Sequence, residues 1–157
     1  MRIAVTGHRP EKLGGDYTGD GTMGQKIRTW LREQLRIREP DEAITGMALG
    51  VDQWFVREAL GLGIAVYAAI PCPGQERKWP TAAQDRYHLL LQHPKVTSHI
   101  VTPGPYAAWK MQARNEHMVD RCNLLLAVWD GSDGGTANCV RYAEKLGKPV
   151  VQFDPFA

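Results

Sequence analysis

The sequence predicts a Rossmann-like α/β domain, a mostly parallel sheet of about six strands with helices on both faces. Three observations lead there. Short apolar runs alternate with segments of helical period along the 157 residues. The runs read as continuous rather than alternating, as strands do when both sheet faces are covered. Three of them end in glycine-bearing turns that lead into the next helix. The length suits one domain with one sizeable core.

The elements follow in order. Residues 3–6, Ile-Ala-Val-Thr, form the first strand and stop at Gly7. A polar, glycine-rich loop over 7–22 comes next, and loops of that length in compact domains are commonly functional. Met23, Ile27, Trp30, Leu31 and Leu35 then keep helical spacing. Residues 42–45 form a second strand that stops at Gly46, and Val51, Phe55, Ala59 and Leu62 mark the next helix face. The third strand covers 64–70 and is closed by Pro71. After a Pro/Gly loop over 71–80, a helix is expected over 81–92 and a fourth strand over 96–102. A helix over 106–121 leads to the fifth strand, 124–129. The turn at 130–136 opens a helix that runs to Leu146, stopped by Gly147 and Pro149, and residues 149–153 form the last strand.

Composition narrows the function classes. Net charge is +2, so no global basic field drives nonspecific nucleic-acid binding. The three cysteines, Cys72, Cys122 and Cys139, form no C-x-x-C pair and are odd in number, which argues against a zinc site or a disulfide framework. Free thiols point to a reducing compartment. The first apolar run reaches Gly7 too soon for a signal-peptide core, and no run approaches the ~20 residues of a membrane span. The expectation is a cytoplasmic protein with no metal, no cofactor and no membrane contact.

In open parallel sheets, ligands bind beyond the carboxyl ends of the strands. The candidate residues therefore lie on the turns. After the first strand, Gly7 lets the backbone turn tightly, and His8 and Arg9 offer donors to anionic oxygens. After the second, Gly46, Met47, Ala48 and Gly50 lead to Asp52 in the first helical turn. Two glycines at a helix start suit backbone approach to a phosphate, while Asp52 has a plain alternative role as a helix-dipole or capping residue. After the fifth, Asp130, Gly131, Gly134, Gly135 and Thr136 present amides where a helix dipole is positive. Thr136 either caps that helix or bonds a phosphate oxygen.

One further residue is singled out by periodicity. Ala107, Met111, Met118 and Cys122 form an apolar stripe, and Arg114 lies on it. A buried guanidinium requires an anionic partner, either a protein carboxylate such as Asp52 or Asp130, or a ligand phosphate; its position, leading into the fifth strand, favours the phosphate. Gln75, Arg77, Lys78 and Trp79 are weaker candidates for a lid or stacking surface. Trp30 and Trp54 read as packing residues, and His88, His93, His99 and His117 show no metal-like spacing.

These segments resemble the SLOG superfamily, which groups the Smf/DprA DNA-processing proteins with the LOG phosphoribohydrolases. The run 45–52, Thr-Gly-Met-Ala-Leu-Gly-Val-Asp, is similar to the Ser-Gly-x-Ala-x-Gly-Ile-Asp signature of Smf/DprA. Residues 111–118 match the Met-x-x-Arg-x-x-x-Met pattern of LOG, and 134–136 match the end of its Pro-Gly-Gly-x-Gly-Thr loop. The nearest overall likeness is to small YpsA-like proteins of bacteria and phages, which share the Thr-Gly-x-Arg-Pro start. The resemblance implies a homodimer. LOG enzymes carry a glutamate three residues after the loop threonine, and here Cys139 stands there.

The sequence reading is therefore a protein that binds a nucleotide or nucleotide-derived small molecule, a sensor or sequestering protein of phage type. Two alternatives are an N-glycosidic or phosphoribosyl hydrolase, with Asp52, Asp130 or Asp133 supplying the carboxylate, and a single-stranded DNA binder. The catalytic residues of any turnover are not assigned.

Overall fold

The computed structural model describes residues 1–157. Six strands, β1 (Arg2–Gly7), β2 (Glu42–Thr45), β3 (Ala65–Ile70), β4 (Val96–Ile100), β5 (Leu124–Val128) and β6 (Val150–Phe153), form one sheet in the order β4-β3-β2-β1-β5-β6. All five strand pairings are parallel. The connecting helices are α1 (Thr22–Arg38), α2 (Val51–Gly61), α3 (Thr81–Leu91), α4 (Ala108–Arg121) and α5 (Gly135–Lys145). This is the Rossmann-like architecture expected, although the fourth strand ends at Ile100. Thr102 turns away from the ladder, and its hydroxyl donates to the Pro71 carbonyl at 2.7 Å.

The continuous apolar runs resolve into two cores with a period of two, because successive strand side chains point to opposite faces. Ile3, Val5, Ala43, Val66, Ala68, Leu124, Leu126 and Val128 face α1, α2 and α3, where Ile27, Leu31, Trp54 and Phe55 are buried. Ala4, Ile44, Ala69, Leu125 and Ala127 face α4 and α5, against Met118, Val119, Cys139 and Val140. Trp54 is buried as a packing residue, and Trp30 stacks on Phe153 with ring centroids 5.0 Å apart. Buried Glu58 accepts from both Arg28 and Arg32 and pins α1 to α2. Pairing with both cations offsets the cost of burying its carboxylate.

Helix ends follow local chemistry. α1 stops at Glu39, which adopts a left-handed φ of 45° one residue before Pro40. α2 and α5 begin at Gly50 (φ 89°) and Gly134 (φ 141°), conformations that side-chain-bearing residues rarely adopt. Neither helix start carries a side-chain cap, so Thr136 is not the N-cap of α5. The first amides of α5 are left for another acceptor.

From β1 the chain steps outward to β2, β3 and β4. It then crosses back over the sheet through α4 to place β5 on the other side of β1. The reversal makes the gap between β1 and β5 the topological switch point, where such sheets open a crevice beyond their carboxyl ends.

Candidate functional site

A cleft of about 400 Å³ opens at that switch point, within the range of small-molecule sites. Its lining includes Gly7, His8, Arg9, Ala48, Asp52, Arg114, Gly134, Gly135 and Thr136 from the sequence candidates. It also includes Glu11, Lys12, Met111, Asn115, Ser132 and Asp133. Gly46, Met47, Gly50, Asp130 and Gly131 do not line it but build its walls, each for an identifiable reason.

Arg114 forms the floor. Its side chain is 4% exposed, and its guanidinium lies where a Cβ on Gly46 would stand, with Nη1 only 2.1 Å from that position. Gly46 is thus a slot for Arg114. Nη1 donates to the Gly46 carbonyl at 2.7 Å and Nε to Asn115 Oδ1 at 3.0 Å. Nη2 reaches only the thioether of Met111, at 3.9 Å. Neither Asp52 nor Asp130 forms an ion pair with Arg114 within 4.0 Å, so the carboxylate partners considered from the sequence are not its partners. Burial pushes the Arg114 guanidinium down and Asp52 partly restores it, but an arginine starts high enough to stay charged.

Asp52 sits beside it, 6% exposed. Its Oδ2 accepts from the Ala48 amide at 3.1 Å, which folds the turn back on the helix start. Burial raises its carboxyl above the ordinary aspartate value, opposed by the nearby Arg114 charge. The turn is held further by Thr45, whose hydroxyl accepts from the Met47 amide and donates to the Asp52 carbonyl. Met47 adopts a left-handed φ of 57° with its side chain wholly buried in the core. Gly50 passes close to His8 and Pro10. At Gly7, a Cβ would lie 2.7 Å from the Val51 side chain. That glycine is required by the packing of α2 on β1.

On the β5 side, Asp130 Oδ1 meets His8 Nε2 at 3.0 Å and accepts from the Ser132 amide at 2.9 Å. Ser132 and the buried His8 hold its carboxyl well below the usual range. Asp130 is therefore an ionised clamp that orients His8 at the cleft wall. Gly131 (φ 92°) and Gly134 supply the positive φ of the turn. Around Gly135 a Cβ would meet nothing within 4 Å, so the amides at the start of α5 face open space at the positive end of a helix dipole. Asn115 ties this turn to the floor by donating to the Gly135 carbonyl at 3.4 Å.

Charge at the mouth is uneven. Arg9 is exposed and has no carboxylate partner, and Lys12 reaches only Ser132 Oγ at 3.4 Å. Asp133 is drawn off to Arg141 at 2.7 Å. Cys139, at the position of the LOG glutamate, is fully buried in the core, and burial pushes its thiol up to about 12. It is a neutral packing group with neither a carboxylate's charge nor a thiolate's reactivity.

The loop considered as a lid is packed instead. Gln75 is buried and donates to the Gly46 carbonyl and the Tyr87 hydroxyl, while Trp79 meets Tyr87 edge-on at 5.2 Å. Glu11, Lys12 and Asn115 carried no sequence signal as cleft residues. A polar residue next to Arg114 on an amphipathic helix was the one available cue for Asn115.

Comparisons with known proteins give the family and support the fold. The model of the YspA SLOG family matches residues 3–148. The SPbeta prophage-derived protein YoqJ of Bacillus subtilis (strain 168) is 34% identical over 153 residues, covering 85% of this chain and 88% of that one. Among solved structures, the single-stranded-DNA-binding DNA processing protein A of Helicobacter pylori superposes with a TM-score of 0.66 at 21% identity over 97% of this chain. DNA processing protein A of Streptococcus pneumoniae gives 0.65 at 20% identity over 96%. This chain spans 64% of the first and 49% of the second. The Chlamydomonas reinhardtii molybdenum cofactor carrier protein shares the fold at 0.56, with 20% identity, over 96% of this chain and 74% of its own. With a family match over nearly its whole length and a relative more than 30% identical, this chain belongs to the YspA SLOG family.

Proposed function

We propose that this protein binds a nucleotide or nucleotide-derived ligand, with its phosphate seated between Arg114 and the start of α5. The observation that carries the reading is Arg114. It is a buried cation whose Nη2 has no oxygen partner in the protein, at a floor shared with the unoccupied first amides of a helix. A phosphate oxygen supplies the missing acceptor to both. Arg9 and Lys12 at the mouth add attraction for the same group. The kinship with prophage-derived YoqJ supports a phage-borne protein, and its proposed role is that of a sensor or sequestering protein acting as a homodimer in the cytoplasm. The test is calorimetric titration of the whole chain with AMP, ADP, ADP-ribose and cyclic nucleotides. Saturable binding is expected for at least one of them. The variant Arg114→Gln is expected to lose at least 100-fold in affinity, since a charge-assisted pair in a dry site is removed. No heat and no thermal shift across the panel would overturn the reading.

A hydrolytic reading has less support. Of the three aspartates considered, Asp130 is committed to His8 and Ser132, and Asp133 to Arg141. Of the two that line the cleft, only Asp52 is free of an arginine partner, and Cys139 stands in place of the family acid. Incubation followed by chromatography separates the two readings, since binding without product is expected. The fold shared with DNA processing protein A and the exposed Arg9 and Lys12 favour single-stranded DNA as a second ligand class. That reading requires affinity that falls steeply with salt.

A further inference from the structure

We propose that the floor of the cleft recognises the hydroxyls of a ribose, so that the site takes ribonucleotides and rejects their deoxy counterparts. The proposal rests on the phosphate reading above and adds the sugar to it.

Asp52 and Arg114 are two nine-tenths-buried ionisable groups that stand side by side with unused bonding capacity. Asp52 spends Oδ2 on the Ala48 amide, and Oδ1 bonds no other group of the protein. Arg114 spends Nη1 on Gly46 and Nε on Asn115, leaving Nη2 with a sulfur contact. Oδ1 is not sealed in the core but opens onto the cleft, where it and Nη2 are free to meet a ligand atom. The two feel each other electrostatically but are not within ion-pair distance. They therefore do not satisfy one another.

A phosphate oxygen takes one N–H of Arg114 Nη2, as in the reading above, but leaves the second N–H and Asp52 Oδ1 without a partner. A hydroxyl is both donor and acceptor, so it donates to Asp52 Oδ1 and accepts from Arg114 Nη2. A vicinal diol does so with two oxygens and spans a wider gap. In a nucleotide such a diol lies a few bonds from the 5′-phosphate, which is the group the α5 amides are placed to hold. The cleft is lined by few apolar side chains, Ala48, Met111 and Met118, and by no Phe, Tyr or Trp; its one ring, the His8 imidazole, is engaged by Asp130. Recognition therefore falls on the sugar and phosphate rather than on base stacking.

The test compares AMP and ADP with 2′-deoxy-AMP and 2′-deoxy-ADP by calorimetry on the wild-type chain, which needs no variant to fold. The ribonucleotide is expected to bind at least about 10-fold more tightly, because the deoxy compound leaves a buried charged group unpaired. Asp52→Asn, checked for its fold by thermal melting, is expected to narrow the ribo-to-deoxy ratio to within about 3-fold. Equal wild-type affinity for ribo and deoxy forms overturns the inference and leaves the phosphate reading standing. Absence of binding to all four overturns both. A preference that survives Asp52→Asn also overturns the inference, since the discrimination then lies elsewhere.

Discussion

The two turns that flank the cleft look alike as strings of residues and behave differently in the fold. The turn at 46–52 leads from β2 into α2, and the turn at 130–136 leads from β5 into α5. Each carries a glycine with positive φ at the helix N-cap. Yet every residue from 46 to 52 is buried, and the space over Gly46 is filled by the Arg114 guanidinium. Over Gly131, Gly134 and Gly135 there is nothing within 4 Å. The first turn spends its glycines on letting the protein close upon itself. The second leaves its amides to solvent, or to whatever enters. A glycine-rich strand-to-helix turn is thus two different devices, and the side chain across from it decides which.

The comparison is broken most severely at Gly46. A methyl group there stands 2.1 Å from Arg114 Nη1, so the guanidinium must leave the seat in which Asn115 and the Gly46 carbonyl hold it. Gly46→Ala is expected to cost about 1–3 kcal/mol of stability by overpacking, read by urea denaturation, and to abolish ligand binding because the cation is driven from its seat. Wild-type stability and affinity in this variant would mean that the guanidinium does not lie on Gly46.

This contrast also shows what was legible in the sequence. The alternation of strands and helices, the parallel sheet and the location of the cleft follow from apolar period and turn chemistry alone. Arg114 was legible because a cation on an apolar helical stripe is out of place. What faces each glycine was not, since it depends on contacts such as that between Gly46 and Arg114, 68 positions apart. The same limit applies to Gly7. It lines the cleft, but what makes it a glycine is Val51, which leaves no room for a Cβ. The buried role of Gln75 was hidden for another reason. It is one polar residue among several in a loop, and only the Gly46 carbonyl and Tyr87 hydroxyl set it apart.

At the open turn the same substitution has the opposite profile. Gly135→Ala introduces a methyl group into empty space in the first turn of α5. Replacing a helical glycine by alanine stabilises by about 0.5–1 kcal/mol. The variant is expected to melt at or above the wild-type temperature. Its affinity for the nucleotide is expected to fall at least about 10-fold, because the methyl group covers the amides that hold the phosphate. Lowered stability with affinity unchanged would place Gly135 with the closed turn rather than the open one.

The smallest effect concerns Asp130, which helps to order the open turn. Asp130 accepts from the Ser132 hydroxyl and amide and meets His8, and these contacts hold its carboxyl well below the ordinary 3.8. A depressed carboxylate contributes stability that is fully present above the unfolded value and is lost only as pH falls through the folded one. Asp130→Asn is therefore expected to melt slightly below the wild type at pH 7. The gap should hold down to about pH 4 and close beneath it, as the wild-type carboxylate takes up its proton. Because the turn is exposed, the gap is small and best read from paired thermal melts across pH. A gap that persists well below the ordinary carboxylate range would mean that the charge of Asp130 does not organise the open turn.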